Sequence, residues 1–163
     1  MSLIPEVLQQ KVIECARRTI AEMELPYVGT MDVAIRDLDW DGIMARAGIS
    51  LIHVKEVEGM GTTERDKIGY GVLVAMNFGT GRQPGETARL VTYCRKAIRG
   101  KFHSKRTCMT GADGVCDLGS SPLSCVVTNE DINIPDHIKK NRSFSHMILR
   151  FWFLEQRRTP LGE

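Results

Sequence analysis

The chain of 163 residues has no long apolar run, no large surplus of one charge and no recognisable set of catalytic residues. Each absence removes a class of function. A bilayer-spanning helix needs about 20 consecutive apolar residues, and no stretch here approaches that. The N-terminal "MSLIPEVLQQKVIE" has neither the basic lead nor the apolar block of a secretory signal. A protein made and kept in the cytosol, with no membrane partner, is the expectation. The formal charge is only +2 and basic residues sit among acidic ones, so no field strong enough to gather nucleic acid is expected. Five cysteines (Cys15, Cys94, Cys108, Cys116, Cys125) are an odd number, in a chain large enough to build a core without cross-links. Reduced thiols follow as the default.

Motifs that carry chemistry are also missing or incomplete. Gly79, Gly81 and Gly85 stand between a strand-like and a helix-like segment. Their spacing is one residue too long for a dinucleotide fingerprint, Pro84 removes a backbone donor, and no Lys-Ser/Thr pair makes a P-loop. His103, Cys108, Cys116 and Cys125 could offer four tetrahedral ligands, but their gaps are wider than the tight pairs of zinc sites. His53, His137 and His146 have no cysteine nearby in sequence to activate as a nucleophile. In "RDLDWDGIMARAGIS", Asp37, Asp39, Asp41 and Gly42 imitate the opening of a calcium loop. The twelfth place is Gly48, where a bidentate Glu is required. The competing reading is a short helix, "GIMARA", capped by Asp41 and closed by Gly48. The residues therefore predict no cofactor, no metal and no enzyme.

What is present is a pattern of elements. Leu8, Val12, Cys15, Ala16, Thr19, Ile20 and Met23 recur at helical spacing. "YVGTMDVAIRDLDWDG" reads as a short extended segment. "GISLIHVKEVEG" and "KIGYGVLVAMNFG", separated by the polar "MGTTERD", read as a long-tipped hairpin. In its second strand Ile68, Tyr70, Val72, Val74, Met76 and Phe78 share one face. Gly69, Gly71, Leu73, Ala75 and Asn77 give the other a small-residue surface on which a helix or neighbouring subunit could pack. A second helix, "ETARLVTYCRKAIRG", turns Ala88, Val91, Cys94 and Ala97 or Ile98 inward. An irregular loop then occupies about 101–124. "CVVTNEDINI" and "SFSHMILRFWFLEQ" close the chain as strands. The last is apolar on both faces, as expected of a central strand or one meeting another chain. The fold class predicted is α+β in a single domain over 1–163: a mainly antiparallel sheet of about four or more strands, flanked by two helices, with an extended hairpin.

This order of elements, closed by "HMILRFWFLEQ", resembles the tail-terminator and tail-completion (neck) proteins of long-tailed bacteriophages and gene transfer agents. The resemblance covers Ile4 to Gln156 and rests on topology, without an invariant motif. It implies a structural virion protein, assembled in the host cytoplasm, that forms a homo-oligomeric ring of six subunits. Such a ring caps the tail tube, contacts the tube protein and the head-tail connector or neck proteins, and lets genomic DNA pass through its lumen without specific binding. Asp37 and Asp39 would then be exposed charges at a subunit or lumen surface. Alternatives are a head-tail neck adaptor and a small metal- or nucleotide-binding enzyme. The residues expected at a subunit or partner interface are Glu58, Glu64, Arg65, Asp66 and Lys67 on the hairpin, with Arg150 and Trp152 on the last strand. The loop at 101–124 is longer than the resemblance leads one to expect.

Overall fold

The computed structural model describes residues 5–23, 25, 32–62, 65–79, 84–104, 124–129, 132–140 and 143–156. In chain order these form α1 (Pro5–Glu22), β1 (Asp32–Ile35), α2 (Trp40–Met44), β2 (Gly48–Gly59), β3 (Arg65–Asn77), α3 (Pro84–Phe102), β4 (Ser124–Thr128), α4 (Asp136–Lys139) and β5 (Phe144–Gln156). The class is α+β. The sheet has five strands in the order β1-β2-β3-β5-β4. It is mixed: β2, β3, β5 and β4 run antiparallel, but β1 lies parallel to β2. The connection through α2 explains this, because a parallel pair requires a crossover of roughly a dozen residues and the chain between Ile35 and Gly48 provides one. The short helices α2 and α4 join the two long ones that the sequence predicts.

Period-two alternation divides the sheet into two faces. On one, Ile68, Tyr70, Val72, Val74, Met76 and Phe78 meet Met147, Leu149, Phe151 and Phe153. α1 and α3 cover this face, inserting Leu8, Val12, Ile13 and Ile20 from α1 and Leu90, Cys94, Ile98 and Phe102 from α3. Fully burying each large aliphatic or aromatic side chain contributes about 1.5–3 kcal/mol, so this helix face is the main apolar store of the fold. Ala88, expected inward, is exposed, and Leu90 takes its place. A smaller cluster of Ile43, Ile52, Leu73, Ala75 and Ile148 lies on the opposite face. Trp40, Val54, Ile132 and Phe144 pack around it.

The acidic turn folds differently from the sequence reading. α2 begins at Trp40 with Asp39 at the N-cap and Ala45 at the C-cap, and Asp41 lies in its first turn. Gly48 does not close the helix. It opens β2 at φ +154°, where a β-carbon would come within 2.9 Å of the Asp32 carbonyl oxygen. Only glycine lets β1 approach β2 there. The carbonyls at the end of α2 are satisfied from the sheet, because Asn77 Nδ2 donates toward Ile43, Met44 and Arg46 oxygens at 3.2, 3.0 and 2.9 Å. Its Oδ1 accepts from the Gly79 N–H at 3.0 Å. One side chain thus joins α2, β3 and the chain leaving β3.

Thiol chemistry also departs from expectation at one position. Cys94 and Cys125 are buried and form no disulfide, but Cys15 is disulfide-bonded. A half-cystine needs only a second sulfur within bonding geometry, which a parity count of cysteines does not detect. Burial pushes the Cys94 thiol pKa up, which keeps it protonated and unreactive.

Candidate interaction surface

β3 pairs with β5 along its whole length, from Arg65↔Gln156 to Asn77↔Phe144, so the far ends of β2, β3 and β5 together run past the shorter flanking strands β1 and β4. β1 pairs with β2 only from Gly48 to Leu51. Beyond that the outer edge of β2 has no strand beside it among the described residues. The opposite sheet edge, β4, is closed by the end of α3. The Ser104 N–H donates to the Cys125 carbonyl at 2.7 Å, the Val127 N–H donates to His103 Nδ1 at 3.1 Å, and Arg99 donates to the Val127 carbonyl at 3.3 Å. Ser104 takes a left-handed φ of +60° to make this turn. His103 is therefore used as an acceptor at a sheet edge, and Cys125 points into the core. Cys108 and Cys116 lie outside the described residues.

An open β2 edge invites indiscriminate pairing. A register shift between Val54 and Val57 and the exposed charges Lys55, Glu56 and Glu58 interrupt it. Bulges and charges of this kind blunt backbone pairing, which leaves side chains as the means of contact.

The expected interface residues divide between the two faces. Glu58 pairs with Ile68 in register and Asp66 with Glu155, so both lie on the helix side near the tip. There the Tyr70 hydroxyl donates to Glu155 Oε1. Arg65 is exposed where β3 begins and is held by a turn in which its N–H donates to Thr62 Oγ1 at 3.0 Å. Lys67, Arg150 and Trp152 come together on the outer face. Lys67 Nζ sits 5.1 Å from the centre of the Trp152 ring, a cation–π contact worth about 0.5–1 kcal/mol at an exposed position. Glu64 lies outside the described residues. So does most of the 101–124 loop, except that Lys101 and Phe102 finish α3, His103 and Ser104 form the turn after it, and Ser124 starts β4.

The small-residue surface is occupied by this chain's own long side chains. A β-carbon at Gly69 would lie 2.9 Å from Arg150 Cγ and Cδ and 3.0 Å from Trp152 Cε3, and one at Gly59 would lie 3.1 Å from Trp152 Cζ3. At Gly71 it would fall 2.3 Å from Val54 Cγ2. The glycines form a lane across β2 and β3 in which Arg150 and the indole lie flat. Arg150 is only 6% exposed, so its role on this face is support under the surface. Around the lane, Val57, Leu154 and Met60 are 43%, 37% and 95% exposed. With half-buried Trp152 they make an apolar surface beside two cations, a composition common at protein interfaces.

Sequence reasoning missed the carbonyl-binding role of Asn77, the edge-covering role of His103, and Arg95. The Arg95 guanidinium donates to Ser145 Oγ and the His146 carbonyl, each at 2.8 Å, and to Asn129 Oδ1. These partners are 34 to 51 residues distant in sequence, so only the fold brings them together. No helix among the described residues is long and apolar enough to cross a membrane. No family model matches the chain, and a search of curated proteins returns no significant match.

Proposed function

We propose that this chain is a structural subunit of a tailed particle: a ring-forming protein that caps the tail tube and joins it to the head connector. The observation that carries the reading is the far half of the β2–β3 hairpin. It combines exposed apolar side chains, a Lys67–Trp152 stack and a defended strand edge. An isolated subunit gains nothing from leaving Val57, Met60 and Leu154 in water, whereas a subunit that meets neighbours through this surface at the far ends of β2, β3 and β5 buries them. A mixed sheet with two long helices on one face would give such a ring a rigid wall, and the hairpin would be its coupling element. Light scattering of the protein alone and mixed with the cognate tube protein tests the proposal. Assemblies of defined mass are expected, and a compact monomer under both conditions would refute it.

A further inference from the structure

A second pair of surfaces is defined by charge. α3 has five basic residues, Arg89, Arg95, Lys96, Arg99 and Lys101, against the single acid Glu86, so it alone is more positive than the whole chain at +2. Arg95 and Arg99 are engaged with β5, β4 and Asn129. Arg89, Tyr93 and Lys96 follow one another at four- and three-residue steps, which puts them on one side of the helix. Exposed Glu86, three residues before Arg89, shares that side, which points away from buried Cys94 and Ile98. Tyr93, in the middle, is 54% exposed. At the other end of the strand order, the β1–α2 corner has the converse character. Asp32, Asp37, Asp39 and Asp41 are all exposed, against Arg36 and Arg46, and Leu38 between them is 51% exposed. Beside it is a cleft of about 310 Å³ lined by Arg36, Asp37, Asp39, Gly42, Ile43 and Arg46.

We propose that the outward side of α3 in one copy docks on the β1–α2 corner of the next, with Tyr93 seated against Leu38 and in the cleft, and Arg89 and Lys96 facing the aspartates. The inference rests on the ring reading above and gives the ring a contact. Because the two surfaces differ and belong to opposite ends of the sheet, the contact is heterologous, the kind that propagates around a closed ring. It also accounts for the aspartates without a metal. Arg36 and Arg46 are compatible with it, because a tyrosine ring accepts guanidinium groups on its face. A second copy suits α3 better than duplex DNA does. A phosphate backbone would pair with Arg89 and Lys96 but give the exposed Tyr93 ring no apolar partner, and the β1–α2 corner supplies both.

Paired charge reversal tests this. One variant, R89E/K96E, makes the α3 side acidic, and another, D37K/D41K, makes the corner basic; Asp39 is kept because its carboxylate lies against Gly42 in α2. Native mass spectrometry and light scattering across concentration, with melting to verify folding, are expected to show an oligomer for wild type. Each variant alone should associate at least about tenfold more weakly. An equimolar mixture should regain assembly, because alternating copies restore both contacts. Wild-type oligomers unaffected by either variant would overturn this contact and leave the ring reading standing. A wild-type monomer at every concentration, alone and with tube protein, would overturn both. Salt-dependent binding of duplex DNA that is lost in R89E/K96E, with association between copies unchanged, would reassign the α3 side to nucleic acid and refute the proposal.

Discussion

Single residues decide how closely the layers approach. At Gly71 a β-carbon would overlap Val54 Cγ2 at 2.3 Å, so Gly71→Ala should lower stability by roughly 1–3 kcal/mol through overpacking. Urea denaturation measures it, and an unchanged midpoint would mean the lane is looser than described. His53 gives a pH-dependent effect. It opposes Val72 on the helix side, and its Nδ1 is buried with no hydrogen-bond partner among the described residues. Burial lowers its pKa below the ordinary 6.5. The folded state therefore resists protonation while the unfolded chain accepts it, so this contribution is present above the unfolded value and lost as pH falls from 6.5 toward the lowered folded value. The melting temperature should fall between about pH 7.5 and pH 5.5. The fall should be smaller in His53→Gln, and equal falls in the two proteins would assign the effect to other groups.

Elements show which signals a sequence carries plainly. β2 spans Gly48–Gly59 as its β-branched composition predicts, although its first half is buried on both faces and its register shifts between Val54 and Val57. The six-residue apolar face of the hairpin's second strand is also buried as expected, from Ile68 to Phe78. α4 was hidden because four residues after Pro135 carry no period. α2 starts at Trp40, two residues before the Gly42 start expected from an Asp41 cap; no side-chain bond caps it, and buried Ile43 ties it to the sheet. The glycine lane was legible as a small-residue face, but its occupant was not. Arg150 and Trp152 lie across strands, and periodicity within one strand says nothing about where a long side chain lies down. Asn77 marks the same limit, since its acceptors come from another element. Asn77→Ala should cost about 1–3 kcal/mol by stranding α2 carbonyls and should speed hydrogen exchange in α2 ahead of β3. Unchanged exchange there would remove this tie from the account.

At the scale of the whole molecule, the main apolar core lies between the two long helices and one sheet face, and the features proposed for assembly lie outside it. Reversing Arg65 and Lys67 to Glu should therefore leave melting within about 1 kcal/mol of wild type, the loss being the Lys67–Trp152 contact. It should weaken assembly, because rim charges govern encounter and register more than fold stability. A mutant that melts normally and still restores tailed particles in full would exclude this hairpin from the assembly surface. The most direct test of the central claim is electron microscopy of particles from cells that lack this gene, compared with cells in which it is restored. The account predicts overlong or headless tails without it and tails of uniform length, joined to heads, on restoration; normal joined tails in its absence would contradict a role in ending the tube.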